Sequence, residues 1–507
     1  MTESNIDQWR QNVETLGQLK ETEWQSVSVK EEIRRNLIAR IRSGETLFPG
    51  IKGYDQSVIP ELQHALLSRH DFILLGLRGQ AKTKILRQLP DFLDEYRPVV
   101  KGSEINDNPL NPISKQAREL IAGKGDETPV EWIHRSRRYG EKLATPDTTV
   151  ADLIGDIDPI KAAARKLTLA DENVINFGLV PRTNHGIFAI NELPDLQPRI
   201  QVALLNIMQE RDIQIRGFNV RIPLDVLMVF SANPEDYTNR GNIITPLKDR
   251  IDAQILTHYP RDITIGMEIT QQEAWTSRDG LPEVRVPAIM KELLEQIAFE
   301  ARESEYIDQK SGVSTRMTIT AMEQLISSAE RRALLNNEKE TTARITDLFH
   351  TVPALTGKLE LVYEGEQEGA LNVAKHIIGK AVKHIFANYF PDPELQKRQD
   401  DRSIYQPVLD WFADGHALEI SDQMSSKAYR EALSEITGLK QLVENESRAP
   451  SQHEEETYVL MDFVVEALHQ HSMLGKEDMD NRRSYSDMLG SMLGSMDDLD
   501  DLGDFKE

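Results

Sequence analysis

The sequence contains no cysteine, which removes disulfides, thiolate metal sites and a cysteine nucleophile together. No window reaches the roughly 20 consecutive apolar residues of a membrane-spanning helix. The opening Met1-Thr2-Glu3-Ser4-Asn5 lacks the basic and apolar regions of a secretory leader. Positive charge is scarce, with 59 Lys and Arg against 83 Asp and Glu and a formal net charge of −24. Binding to nucleic acid or to an anionic membrane needs a basic surface, so this balance argues against both. The 12 histidines are scattered and none has a His-x-x-x-His spacing. These absences fit a reducing compartment, and a cytoplasmic protein is the expectation. What is present, 39% apolar and 28% charged residues over 507 positions, fits about two or three globular domains.

The chain is organised around Asp71-Phe72-Ile73-Leu74-Leu75-Gly76-Leu77-Arg78-Gly79-Gln80-Ala81-Lys82-Thr83. Four apolar residues run into Gly76, and a glycine-bearing turn delivers Lys82 and Thr83 to a helical pattern. That is the layout of a phosphate-binding loop. Backbone N–H groups and a helix N-terminus would cradle phosphate oxygens, Lys82 would reach the terminal phosphates, and the Thr83 hydroxyl would hold Mg²⁺. Gly76, Gly79, Gln80, Ala81, Lys82 and Thr83 are therefore the candidate nucleotide-binding set. Ala81 stands where glycine is usual before the lysine. Its methyl group costs little at negative φ and crowds a nucleotide at positive φ. A strand followed by an ordinary helix cap has the same local pattern, so the rest of the chain must decide.

Before the loop, Ser28 with Glu31, then Ile33, Leu37 and Ile41, and Gly44 as a stop, predict one amphipathic helix. After it, Pro90 predicts a kink or early end to the next helix. Residues 97–150 carry turn chemistry such as Asn106-Asp107-Asn108-Pro109 and read as an insertion. Within them His134, Arg135, Arg137 and Arg138 read as the solvated face of a loop helix, or else as a patch for a neighbouring subunit. Ile187-Phe188-Ala189-Ile190 and Val226 to Phe230 are continuous apolar runs of the kind buried on both faces of a parallel sheet. Between them lie a helical stretch (Ile200, Leu204, Leu205, Met208) and a hairpin pattern over 213–222. Beyond Pro260 the periodicity is helical almost throughout.

A phosphate loop needs a second strand ending in an acidic pair, one residue to steer Mg²⁺ through water and the next to orient the attacking water. Asn191-Glu192 ends the first apolar run. Asn191 offers a neutral oxygen where a carboxylate is usual, which weakens attraction for a hard cation. Glu192 is intact. Asn233 ends the next strand and could hold the γ-phosphate or the lytic water. Arg250 could reach a neighbour's γ-phosphate from a subunit edge, and Arg316 could read phosphate from a helical lid. Any one of these would pass for a strand end or a surface residue; five in order do not.

In that order the chain resembles an AAA+ ATPase, and within that superfamily the MoxR-type ATPases and the ATPase (I) subunit of magnesium chelatase. The resemblance covers roughly residues 45–330. Residues 76–83 resemble Walker A, 186–192 Walker B, Ser231-Ala232-Asn233-Pro234-Glu235 sensor 1, Leu247-Lys248-Asp249-Arg250 the arginine-finger segment, and Gly312-Val313-Ser314-Thr315-Arg316 sensor 2. The hairpin at 213–222 and residues 153–181 stand where this branch carries a pre-sensor-1 hairpin and a helix-2 insert. The resemblance implies an α/β P-loop core with a parallel sheet, followed by an α-helical lid and a mainly helical C-terminal region.

The implied domains are an N-terminal helical extension at 1–45, a nucleotide-binding domain at 46–260 and a lid with extension at 261–390. A helical region at 394–480 and an acidic, disordered tail at 481–507 would follow. The resemblance also implies ATP and Mg²⁺ as cofactors and a ring, usually hexameric, of ATP-hydrolysing subunits that remodel a protein or metal-insertion complex. A separate protein with a von Willebrand factor A-type domain is the implied partner. Ala81 and Asn191 depart from the pattern and motivate an alternative, an ATP-gated scaffold that hydrolyses poorly. An enhancer-binding transcription activator shares the core, but its Gly-Ala-Phe-Thr-Gly-Ala loop is absent here.

Overall fold

Phe72-Ile73-Leu74-Leu75 has no polar face, and such a run is stable as a strand only with both faces covered. The computed structural model, which describes residues 9–169, 171–215, 221–234, 242–280, 282–394, 403–449, 451, 453–479 and 482–488, covers them both. It divides into two compact units, Met1–His258 and Tyr259–Glu507.

The first unit is built on a five-stranded parallel sheet. Its strands are β1 (Phe72–Leu75), β2 (Tyr139–Leu143), β3 (Gly186–Asn191), β4 (Val226–Ala232) and β5 (Ala253–Leu256), in the order β5-β1-β4-β3-β2. Side chains alternate between two cores. Ile73, Leu75, Phe188, Ile190, Met228 and Phe230 enter one, and Phe72, Leu74, Ile187, Ala189, Val229 and Ile255 the other. On the second face lie α1 (Val29–Ser43) and α2 (Lys82–Leu86). Ser28 Oγ caps α1 by accepting from the Glu31 N–H at 3.4 Å, and Gly44 ends it at φ 74°. On the first face lies α3 (Pro198–Glu210), followed in the chain by α4 (Thr245–Arg250). Helix α2 is only five residues long; Arg87 caps it, and Pro90 falls in a separate 3₁₀ turn at Leu89–Phe92.

Two features differ from the sequence expectation. Residues 97–150 are not all outside the core, because β2 is an edge strand of the main sheet, with Tyr139 opposite Ile187 and Leu143 opposite Asn191. Its Tyr-Gly-Glu-Lys-Leu sequence is polar because an edge strand is only half covered. Arg138 is neither solvated nor part of a patch. It is fully buried, with both guanidinium Nη atoms 2.8 Å from the Glu32 carboxylate, which also takes a 3.2 Å bond from Arg97. Burial alone would raise the Glu32 carboxyl, but the charges and hydrogen bonds of Arg138 and Arg97 bring it down to about 2. Arg135 pairs with Asp91 at 3.1 Å.

Residues Gly155–Ile157 and Ile175–Phe177 pair antiparallel around a helix at Pro159–Arg165, within the 153–181 segment. Asp212–Gln214 pairs with Arg221–Pro223, and the turn of that hairpin at 216–220 lies outside the described residues.

The second unit has one hydrophobic core formed largely by α5 (Ala288–Glu303), α6 (Arg316–Leu335), α7 (Ala370–Tyr389) and α8 (Glu454–Gln470). A three-stranded antiparallel sheet of β6 (Leu418–Ser421), β7 (Gly475–Met479) and β8 (Arg482–Ser486) completes it, with β8 in the middle. Strand β8 falls inside the 481–507 segment expected to be disordered. Its polar sequence hides a strand because Arg483 and Tyr485 are buried against Asp462 and Glu466 of α8. The rest of that tail, from 489 onward and including the acidic run from Asp497, lies outside the described residues. Among the described residues no helix is long and apolar enough to cross a membrane.

Candidate functional site

Register decides what meets at the carboxyl edge of the sheet. Leu75 is opposite both Ala232 and Leu256, and Ile190 is opposite Phe230. The residues that follow, Gly76, Asn233, Thr257 and Glu192, therefore emerge at one edge, where parallel α/β sheets bind ligands.

Asn233 joins the loop to Glu192. Its Oδ1 accepts from Lys82 Nζ at 2.7 Å and its Nδ2 donates to Glu192 Oε2 at 3.0 Å. Lys82 is buried and also donates to the carbonyls of Leu77, at 2.9 Å, and Gly76. It would have to leave those carbonyls to reach a phosphate. Glu192 follows β3 in a left-handed conformation at φ 55°, which turns its side chain back toward Asn233. The first residue of α2 and the residues after two strands thus form one hydrogen-bonded chain.

The loop itself is held from below. Thr257 Oγ1 donates to Gln80 Oε1 at 2.7 Å, and the Tyr54 hydroxyl donates to the Gln80 carbonyl at 3.1 Å. A Cβ on Gly76 would stand 1.9 Å from Thr257 Oγ1 and 2.1 Å from Gln80 Oε1, so only glycine fits there. Gly79 is at φ 75° and Ala81 at φ 56°. Ala81 therefore occupies the strained case of the two considered above, at a cost of about 1–2 kcal/mol for an L-residue. Helix α2 spans little more than one turn, so most of any anion attraction must come from the loop N–H groups and Lys82.

Asn191 is buried with both ends of its amide engaged. Its Oδ1 accepts from Ser231 Oγ at 3.0 Å, and its Nδ2 donates to Glu141 Oε1 at 2.7 Å. Glu141, on β2, is in turn held by Arg87 through Nε at 2.8 Å and Nη2 at 3.0 Å. Thr83 and Arg87 are four residues apart at the start and end of α2, hence on one side of it. Thr83 is therefore on the side of α2 whose Arg87 reaches Glu141, the partner of Asn191. Glu141 was missed by sequence reasoning because β2 was counted with an insertion; the signal available was its alternation with Tyr139 and Leu143.

Among the described residues no group of three His, Asp or Glu is placed to hold a metal ion. Mg²⁺ does not need one, since it takes one or two protein oxygens and fills its shell with water and phosphate. The Thr83 hydroxyl and the Asn191 amide oxygen would be two such oxygens, with the Glu141 carboxylate behind Asn191.

One predicted residue of the first unit, Arg250, is not brought to this site. Arg250 ends α4, is exposed, and pairs with Asp249. Two residues on, Asp252 accepts from the Asp71 N–H at 2.9 Å, and Asp71 immediately precedes β1. Arg250 is therefore at the amino-terminal edge of the sheet, a strand's length of about 13 Å from the loop. Arg69, Arg211 and Lys30 line the same cleft. Arg316 opens α6 in the second unit and is exposed. His185, beside β3, is bonded to Asp225 at 2.9 Å. Burial and the nearby Arg97 charge lower its pKa, a packed histidine rather than a metal ligand.

The Sigma-54 interaction domain, an AAA+ domain, matches residues 167–255. Comparison with curated proteins gives no match. Among solved structures the chain is similar to NtrX from Brucella abortus, at 13% identity over 58% of this chain with a TM-score of 0.33. It spans 55% of that NtrX chain. A candidate ATPase from Cytophaga hutchinsonii matches at 18% identity over 69% of this chain and 95% of its own, with a TM-score of 0.29. A cryo-EM-based complex of subunits BchI and BchD of magnesium chelatase matches at 20% identity over 63% of this chain and 98% of that chain, with a TM-score of 0.33. By its sheet and its loop, the first unit of the protein has the α/β P-loop core of the AAA+ type.

Proposed function

We propose that the protein binds ATP with Mg²⁺ and hydrolyses it to remodel a protein or metal-insertion complex, in the manner of magnesium chelatase I subunits and MoxR ATPases. The observation that carries this reading is the Lys82–Asn233–Glu192 chain, which runs from the start of α2 to two strand ends. In this reading Lys82 exchanges loop carbonyls for the terminal phosphates. Glu192 polarises a water, and Asn233 keeps the two in register and holds that water or the γ-phosphate. Thr83 and, by way of water, Asn191 would hold Mg²⁺, which would supply positive charge against the phosphate oxygens.

Arg250 is too far from its own loop to act there. It suits the phosphate of a neighbouring copy, which supports a ring, hexameric in the family resembled. Arg316 is proposed as a second phosphate contact from the helical unit. A separate von Willebrand factor A-type protein is the proposed partner, and the cytoplasm the proposed location.

The strained Ala81 and the neutral Asn191 favour a second reading, a scaffold that assembles on ATP and turns it over slowly. The Sigma-54 interaction-domain match favours a third, an enhancer-binding activator, but the acidic composition and the missing Gly-Ala-Phe-Thr-Gly-Ala loop weigh against it. Measuring ATP turnover and ATP-dependent assembly on the same sample separates the first two. Assembly with turnover comparable to remodelling ATPases supports the motor; assembly with negligible turnover supports the scaffold. Binding to DNA at low salt would support the third.

A further inference from the structure

We propose that Glu141 supplies, from the neighbouring strand, the negative charge that the Asn191-Glu192 pair lacks. This rests on the nucleotide reading above and makes Glu141 a positioning residue for the cation's hydration shell.

The case begins with the Asn191 amide. Its NH₂ needs an acceptor once buried, and the Glu141 carboxylate provides one at 2.7 Å. An aspartate at 191 would put two carboxylate oxygens in that position, which like charges resist. Asparagine and glutamate side by side therefore carry one negative charge between two strands, where the usual pattern carries it on the pair itself. The fold holds that charge in a fixed place. Glu141 is opposite Ala189 in the parallel register, two residues before Asn191 on the same face of the sheet. That face is the one covered by α2, whose Arg87 reaches the Glu141 carboxylate, with Thr83 four residues earlier on the same side of the helix.

The cation now holding Glu141 is a replaceable one. Arg87 is 64% exposed against 21% for Glu141, and an exposed ion pair of this kind contributes little. A divalent ion at Thr83 would compete for the same carboxylate, directly or through a water, with twice the charge. Outer partners of this kind commonly change metal affinity tenfold or more when removed.

The test is ATP binding by the full chain, measured by calorimetry over a range of Mg²⁺ concentrations and with EDTA. Glu141→Gln should raise the Mg²⁺ concentration for half-maximal effect about tenfold and leave binding in EDTA as tight as in wild type or tighter. Arg87→Ala, which removes the salt bridge but keeps the carboxylate, should preserve or sharpen the Mg²⁺ dependence. Asn191→Asp alone should weaken the Mg²⁺ response, and Asn191→Asp combined with Glu141→Gln should restore it, since the charge has only moved between strands. An unchanged Mg²⁺ dependence in Glu141→Gln would overturn the proposal, as would Arg87→Ala reproducing the loss, because Glu141 would then serve only to hold Arg87. An improved Mg²⁺ response in Asn191→Asp alone would overturn it too. A wild-type chain that binds no ATP at any Mg²⁺ concentration would instead overturn the nucleotide reading, and this inference with it.

Discussion

Replacing Asn233 by alanine removes one amide and with it both connections between Lys82 and Glu192. Each is a hydrogen bond to a charged group, worth about 1.5–3 kcal/mol net where water is excluded. Without nucleotide the loss is partly made good. Lys82 keeps the Gly76 and Leu77 carbonyls, and Glu192, half-buried, can turn to water. The fold should therefore lose only about 1–2 kcal/mol, a shift of a few degrees in the unfolding midpoint. ATP affinity should change by less than about threefold, because Lys82 remains and has one acceptor fewer to leave. Hydrolysis should fall by about 10²–10³-fold, or about 2.7–4 kcal/mol, the usual effect of deleting one preorganised donor. Coupled phosphate-release kinetics, with ATP affinity from a fluorescent analogue, separate the two quantities. Asn233→Asp provides the opposite charge test: its carboxylate would pair with Lys82 and repel Glu192, so ATP affinity should fall as well. Turnover in Asn233→Ala within about threefold of wild type would refute the bridging role. A parallel collapse of affinity and turnover would show instead that Asn233 only shapes the loop.

Ala81→Gly should relieve the left-handed conformation at 81. The gain of about 1–2 kcal/mol is offset by roughly 0.4–1 kcal/mol of extra unfolded-state entropy, so thermal melts should show a small rise in midpoint; a fall would contradict the strain. Glu32→Gln leaves Arg138 and Arg97 buried without their anion and should cost about 3–5 kcal/mol in urea unfolding. Because the Glu32 carboxyl is at about 2 when folded against a usual 4.5, its contribution of roughly 3 kcal/mol is present above pH about 4.5 and lost as pH falls toward 2. The wild type should therefore lose stability more steeply than Glu32→Gln across that window, and equal slopes would count against the assignment. Arg250→Ala should retain ATP binding and lose turnover, and mixing it with Lys82→Ala chains should recover activity because each chain supplies what the other lacks; a mixture as inactive as its parts would remove the neighbour-directed role.

The central strands were legible in the sequence because burial on both faces demands unbroken apolar runs, as at 72–75, 187–190 and 226–230. The loop, the acidic pair and Asn233 were legible for the same reason, since each is placed where such a run stops. Edge strands follow a different rule. Strand β2 needs only half its residues covered, and its polar sequence concealed both the strand and Glu141. Strand β8 and the Arg138 site were concealed by charge: Arg483, Tyr485 and Arg138 are buried because Asp462, Glu466 and Glu32 meet them, and periodicity does not report partners distant in the chain. The conformation of Ala81 was not readable from its residue type, which ordinarily adopts negative φ. The distance of Arg250 from the loop follows from the parallel sheet, whose two ends the linear order of motifs does not distinguish.

Steady-state phosphate release by the wild type and by Glu192→Gln, with bound ATP quantified in the same samples, tests the central claim most directly. The account predicts Mg²⁺-dependent turnover in the wild type, and in Glu192→Gln full ATP occupancy with turnover lower by about 10²-fold or more. A Glu192→Gln chain that binds ATP and hydrolyses it as fast as wild type would contradict it.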